Sequence, residues 1–229
     1  YGVDTDGRCT FVNRAGLLML GYDREEDLLG RNFHDLVHHT RPDGSPYPAV
    51  ECRMCQPLVT GVEAHVDDEV FWRRDGTGFP VEYWSRPMRV ADRIVGTVAT
   101  FFDITAHQRA EETLRLQSAA LEAAATAIVI TSADGAIEWA NPAFTRFTGY
   151  TLAEAVGKNP RDLIKSDRHD TAFYRSMWQT IRAGEVWHGE IINRRKDGAL
   201  YNEEMTITPM KDHQGVITHF IAVKQDISH

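Results

Sequence analysis

No apolar stretch in this chain approaches the ~20 residues that cross a bilayer, and no signal peptide is legible. The 229 residues are therefore expected to be soluble and cytoplasmic, without membrane contact from this segment. Cysteine is scarce, with three in all and none after Cys55, which excludes a disulfide framework. Basic residues are outnumbered, 25 Lys and Arg against 33 Asp and Glu for a net charge of −8. That argues against nucleic acid as a partner, since a phosphate backbone selects a basic face. There is no phosphate-cradling glycine loop, no convincing nucleophile–base pair and no complete set of metal ligands, so the chain is not expected to be an enzyme. What is present fits soluble globular structure: 42% hydrophobic and 25% charged residues, in a length that suits two domains.

The organising feature is an internal repeat at a spacing of roughly 125 residues, which means duplicated domains rather than a solenoid. Asp6-Gly7-Arg8-Cys9-Thr10-Phe11-Val12-Asn13 matches Asp134-Gly135-Ala136-Ile137-Glu138-Trp139-Ala140-Asn141, each an Asp-Gly turn followed by a strand. A short helix then ends at Gly21-Tyr22 or Gly149-Tyr150, followed by Gly30-Arg31-Asn32 or Gly157-Lys158-Asn159. Arg73-Arg74-Asp75-Gly76 parallels Arg195-Lys196-Asp197-Gly198 as a second hairpin turn, and the strands after it are expected to end at Pro87 and Pro209. Each copy closes at Asp103-Ile104-Thr105 or Asp226-Ile227-Ser228. One copy reads strand, strand, short helices, then three strands in hairpin order. That is an α+β fold with helices on one face of an antiparallel sheet. The opening Tyr1-Gly2-Val3-Asp4 reads as an interrupted strand, so the first copy is expected to be truncated at its N-terminus. Membrane spans or an output domain would then lie outside the chain.

Between the copies, Thr105 and Gln108 have the spacing of a capping box and predict a helix over 105–125. Ala110, Leu114, Leu121 and Ala124 recur at heptad-like spacing, interrupted by Gln117, with charges on the other faces. The stripe suits a surface helix on its own domain or a short parallel coiled coil between two protomers, and a homodimer through this helix is expected.

The turn-strand-Asn opening, the Gly-Tyr step, the Asp-Gly hairpin and the terminal Asp-Ile-Thr or Asp-Ile-Ser resemble PAS domains across both copies, over residues 1–104 and 126–229. The resemblance implies five antiparallel strands per domain, short helices on one face, and a small-molecule pocket between them. It also implies a sensor whose terminal strand relays strain to the following helix and to a C-terminal output domain, such as a histidine kinase or a cyclic-dinucleotide enzyme. In the second copy, Gly157-Lys158-Asn159-Pro160-Arg161-Asp162-Leu163 resembles the flavin-binding helix of light-oxygen-voltage domains. Met177-Trp178-Gln179-Thr180-Ile181 and Trp187-His188-Gly189-Glu190-Ile191-Ile192-Asn193-Arg194-Arg195-Lys196-Asp197-Gly198 are similar to the FAD-binding PAS domains of nitrogen-fixation and methane-oxidation redox regulators. Pro160 stands where a photochemical light-oxygen-voltage domain needs its thiol. The second copy has no cysteine, which excludes the cysteinyl-adduct photocycle and leaves flavin reduction and reoxidation.

The expected cofactor is FAD, with FMN as the alternative. Haem through His169 is the lesser one. A flavin needs a flat apolar slot and amide partners along its pyrimidine edge. Asn193 and Asn202, on strands flanking the hairpin, suit that edge, or are ordinary strand polar residues. Lys224, where the light-oxygen-voltage family keeps a glutamine, either faces the flavin or snorkels to solvent. Trp187, and secondarily Trp178, suit a ring or adenosine contact, although a core role is the default for tryptophan. Asn159 belongs to the flavin-binding helix, and Arg161, Lys165 and His169 suit phosphates. Glu190 and Glu204 are alternates.

In the first copy the counterparts of Asn193, Lys224 and Pro160 are Phe71, Phe101 and Phe33, which fill the pocket or make it apolar. A turn-rich insert, His38 to Pro48, leads to Cys52-Arg53-Met54-Cys55. That pair reads as two reduced cysteines on one helix, with no metal site assigned; a metal site and a redox switch are the lesser readings. A metal would need His34, His38 or His39 to complete its ligands. The favoured function is redox or oxygen sensing by FAD in the second domain. The alternatives are a cofactor-free pair of interaction domains and metabolite sensing in the first pocket.

Overall fold

Four Asp-Gly turns, at Gly7, Gly76, Gly135 and Gly198, take positive φ of 75°, 81°, 86° and 90°, the conformation glycine adopts without steric cost, and each reverses the chain between strands. The computed structural model describes residues 1–228 and divides into two compact units, Tyr1–Thr113 and Leu114–His229. The first carries β1 (Gly2–Asp4), β2 (Cys9–Phe11), α1 (Arg14–Leu20), α2 (Phe33–Val37), α3 (Gln56–Thr60), β3 (Ala64–Trp72), β4 (Gly78–Val90) and β5 (Arg93–Asp103). The helix α4 (Thr105–Ala123) follows. The second carries β6 (Ala127–Ser132), β7 (Ile137–Ala140), α5 (Pro142–Thr148), α6 (Leu152–Ala155), α7 (Pro160–Ile164), α8 (Thr171–Arg182), β8 (Trp187–Arg194), β9 (Leu200–Lys211) and β10 (Ile217–Asp226).

Each unit is α+β with one five-stranded sheet, ordered β2-β1-β5-β4-β3 and β7-β6-β10-β9-β8, all pairs antiparallel. The last strand of each copy therefore lies at the centre of its sheet. The repeated asparagines are helix caps: Asn13 Oδ1 accepts from Gly16 N and Asn141 Oδ1 from Phe144 N, satisfying orphan donors of α1 and α5. Both helices end at left-handed glycines, Gly21 and Gly149.

Two local expectations change. The strands β4 and β9 run on through Pro87 and Pro209 to Val90 and Lys211. Proline is tolerated there because the outer neighbours stop short: β3 pairs only as far as Ser85 and β8 only as far as Ile207, so the missing N–H faces no strand. The start of α4 is held by Asp103, whose Oδ1 accepts Thr105 N at 2.9 Å, rather than by a Thr105–Gln108 box. In α4 none of the 19 residues is buried, and its C-terminal turn is tied to the second unit where Asn141 Nδ2 donates to Leu121 O at 3.1 Å.

Candidate functional site

Inward and outward residues alternate cleanly along β9: Tyr201, Glu203, Met205 and Ile207 are buried, while Asn202, Glu204 and Thr206 are not. The hairpin register pairs Asn193 with Tyr201 and Ile191 with Glu203, and β10 places Lys224 beside Met205. Asn193, Glu203 and Lys224 thus converge on the inner face of three adjacent strands. Their exposures are 3%, 1% and 4%. Lys224 Nζ donates to Glu203 Oε1 at 2.9 Å, and Asn193 Nδ2 donates to the same oxygen at 2.8 Å. A buried ion pair persists only when its remaining polar atoms find partners. Here the carboxylate takes two donors on one oxygen, and the ammonium keeps donors beyond the one it gives Glu203. Burial, and the carboxylate of Glu203 beside it, push the Tyr201 hydroxyl well above the usual tyrosine range.

Asn193 and Lys224 of this cluster line a cavity of ≈ 650 Å³, with Glu203 behind them, within the ~300–1,000 Å³ of small-molecule and cofactor sites. Val129, Ile191, Met205, Ile207, Phe220 and Ala222 line its sheet side, and Met177, Trp178 and Ile181 of α8 its helical side. The ring of Trp178 meets Phe220 edge-on, centroids 5.8 Å apart. Gly135 fits Trp178 in place: a Cβ there would come 3.0 Å from the indole and 2.8 Å from Asn159 Nδ2, at a φ of +86° that side chains rarely adopt. The Tyr174 hydroxyl on the same wall is buried and has no hydrogen-bond partner among the described residues.

The rim is cationic but mixed. Arg161, Lys165 and Arg175 reach it together with Asp167 and Asp170, and Lys165 Nζ lies 3.1 Å from Asp167. Asn159 lines the cavity while its Oδ1 caps α7 by accepting from Arg161 N at 3.1 Å. Pro160 lines it as the first residue of α7. The segment after α7 closes the edge of the sheet. Ser166 Oγ donates to the Ile192 carbonyl, Lys165 bridges to Asn193, and His169 Nε2 accepts from Ile192 N at 2.9 Å. An otherwise open strand edge is covered in this way.

The cavity therefore gathers Asn193, Lys224, Asn159, Arg161 and Trp178 among the residues anticipated from sequence, together with Lys165 and His169. It does not gather the others. Asn202 is exposed, opposite Ile192, because the hairpin register gives inward residues of β8 and β9 the same parity. Glu190 is exposed for the same reason and sits opposite Glu204, which contacts His188. Trp187 is on the inner face but beyond the cavity, half-buried and edge-on to Phe173 at 5.9 Å. Lys224 does not snorkel. The lone pair of His169 Nε2 is committed to a backbone N–H, which removes it as a haem ligand. Glu203 escaped the sequence reading, yet its signal was there: it falls in phase with the apolar Tyr201, Met205 and Ile207.

In the first domain the equivalent positions hold a packed core. Phe71 pairs with Phe79 as Asn193 does with Tyr201, and Val81 faces Asp103 as Glu203 faces Asp226. Phe71, Val81 and Phe101 are 0%, 0% and 8% exposed. The Phe71 ring touches those of Phe79, Tyr83 and Phe101 at centroid distances of 6.2, 5.7 and 5.4 Å. Phe33 stacks on Tyr1 at 3.7 Å. Of the two readings of these aromatic positions, a filled pocket or an apolar one, the packing found here is the first. Cys52 and Cys55 lie in the turn that leads into α3, not on one helix.

A sequence profile described as the PAS domain matches residues 1–106 and again 125–229. A nitrogen fixation regulatory protein of Klebsiella oxytoca is 44% identical over 108 residues, 47% of this chain and 22% of its own length. Phototropin-2 of Oryza sativa subsp. japonica is 34% identical over 98 residues, 43% of this chain and 11% of its own. A blue-light-activated histidine kinase of Brucella canis is 32% identical over 95 residues, 42% of this chain and 19% of its own. The chain spans about a fifth, or less, of the length of these curated relatives.

Proposed function

Because this chain belongs to the PAS domain family through both of its halves, we propose that it is the sensory input module of a signalling protein, whose second domain reads redox state or oxygen through bound FAD. The observation that carries the reading is the ≈ 650 Å³ cavity with an apolar body and one polar end. Similarity to a nitrogen fixation regulatory protein and to a blue-light-activated histidine kinase supports a regulatory role and a flavin.

The residues present fit that group. A planar ring suits the slot between the apolar sheet face and Trp178, and the amide of Asn193 with the spare donors of Lys224 suits its alternating polar edge. Arg161 and Lys165 at the rim suit phosphates. A bound flavin supplies reversible uptake of electrons and protons at that polar edge. The protein's part is to hold the edge and feel its charge. Lys224 is fixed between Glu203 and the cavity, on the central strand of the sheet. Two residues on, Asp226 is ion-paired to Arg195. A change of charge at the cavity would alter the balance of the Asn193–Glu203–Lys224 network and load β10 just before the chain leaves the domain, biasing a two-state output. The exposed helix α4, with Leu114 66% and Leu121 41% exposed, suits pairing with a second copy.

The test is the visible spectrum of the purified protein. The two flavin bands, bleached by anaerobic reduction and restored by air, are expected. Asn193→Ala should lose most of the colour while retaining the folded far-ultraviolet signal. A folded protein that stays colourless after incubation with FAD and with FMN overturns the reading.

A further inference from the structure

The first domain holds a second polar cluster that the sensory reading does not use. His34 and His38 lie on and just after α2, and Cys52 and Cys55 in the turn before α3. A ring nitrogen of His34 and the sulfurs of Cys52 and Cys55 all lie within 4.8 Å of one another. Cys55 N donates to Cys52 O at 3.0 Å, so the turn gathers both thiols at one place.

The histidines are set up as ligands. His34 is 5% exposed, and its Nε2 lies 2.8 Å from the carbonyl oxygen of Tyr47. A carbonyl only accepts, so Nε2 carries the hydrogen and the neutral ring presents its lone pair at Nδ1. That Nδ1 is buried and makes no hydrogen bond of ordinary geometry among the described residues, an arrangement that ordinarily costs free energy; the Cys52 thiol is the neighbour that acts on this ring electrostatically. His38, 1% exposed, places Nδ1 3.3 Å from Cys52 Sγ and Nε2 2.9 Å from Glu69 Oε2, a contact of opposite charge that lacks hydrogen-bond alignment. Glu69 is itself held by Tyr83, Tyr47 and Arg53. An imidazole with one nitrogen on a carbonyl or carboxylate and the other aimed at thiols is the usual second shell of a metal-bound histidine.

We propose that His34, Cys52 and Cys55, with His38 completing the fourth position, bind one divalent metal ion of the zinc class. Two thiolates and two imidazoles suit a borderline-soft, tetrahedral cation. With metal–sulfur bonds of ~2.3 Å and metal–nitrogen bonds of ~2.0 Å, tetrahedral donors stand roughly 3.3–3.8 Å apart, so side-chain closure of about an ångström brings His34, Cys52 and Cys55 to that spacing, while His38, close to Cys52 but outside that group, must swing further to take the fourth position. Binding is coordination without electron transfer: the two thiols lose their protons to solvent and the thiolates ligate. The metal would clip the end of α2 to the start of α3 across an intervening segment whose only ladder contact among the described residues is the Thr40–Pro46 bridge. It owes nothing to a flavin in the second domain, so either reading can fail without the other.

The experiment titrates the reduced, metal-stripped full chain with Co²⁺ anaerobically, then with Zn²⁺. Expected are one cobalt per chain, a thiolate-to-cobalt charge-transfer band, the intense visible bands of tetrahedral cobalt, and their loss on adding zinc. Cys55→Ser, at a half-buried position, should weaken binding at least ~100-fold and reduce the charge-transfer band. If that variant does not fold, thiol reactivity of the wild-type chain decides: zinc should protect two of its three cysteines from a thiol reagent. Folded wild-type protein that takes up neither metal overturns the site. So does uptake indifferent to Cys55→Ser, thiol reactivity unchanged by zinc, or a Cys52–Cys55 disulfide that persists under reductant.

Discussion

The two domains share strand order, hairpin turns, glycine-ended helices and an Arg–Asp ion pair at the end of the last strand, yet their centres are opposites. Where the second domain has Asn193, Glu203 and Lys224, the first has Phe71, Val81 and Phe101. Three apolar positions turn a cavity into a packed core without altering the sheet. The backbone is thus a frame that either filling satisfies, and function in this chain is decided by side chains at a few inward strand positions.

The largest way to break the comparison is to exchange those residues one at a time. Glu203→Val installs the first domain's residue and leaves the Lys224 ammonium buried and unpaired, which should destabilise the second domain by about 3–5 kcal/mol. The double change Glu203→Val with Lys224→Phe should recover most of that. Urea unfolding checks both, and a single-variant cost near zero would mean the pair is not buried as described.

Packing should separate the domains next. Phe71→Ala removes a ring from a filled core and should cost about 3–5 kcal/mol. Asn193→Ala borders an existing cavity and should cost no more than about 1–3 kcal/mol, from the carboxylate partner it abandons, while losing most of the flavin colour. Equal costs measured by denaturant would contradict the difference in filling.

A smaller effect concerns the segment between the domains. Leu114→Glu, at an exposed position of α4, should lower the mass read by light scattering from that of the proposed pair to that of a single chain while leaving the melting of both domains unchanged. A mass that does not move removes α4 as the pairing surface.

The smallest effect should be common to both. Burial alone would raise the Asp103 and Asp226 carboxyls. Hydrogen bonds from Thr105 or Ser228, with the guanidinium of Arg73 or Arg195, outweigh it and hold both below the usual range. A depressed folded pKa contributes stability above the unfolded value and loses it as pH falls. Each pair should therefore support its domain above about pH 4 and fade below. Asp103→Asn and Asp226→Asn should flatten that acid limb alike, as melts across pH would report.

Local chemistry made much of this legible. The repeated Asp-Gly turns, the capping asparagines and the glycine stops depend only on neighbouring residues, so the duplicated α+β plan followed from the chain itself. The aromatic replacements Phe33, Phe71 and Phe101 already marked the first pocket as the odd one. The site was legible only in part, because an inward strand residue is known only once register is known. Shifting a hairpin by one residue exchanges the faces, which is why Asn202 was expected inside and Glu203 was not.

The sequence by itself determined where the chain turns, where helices start and stop, and that the second domain carries no thiol. Those are short-range facts of backbone conformation and composition. Only the tertiary structure decided which side chains meet: that Lys224 pairs with Glu203, that His169 caps a strand edge, and that two histidines face two cysteines across the insert. Such meetings depend on strand register and on loops folding back over the sheet, and both are set by packing the whole domain at once.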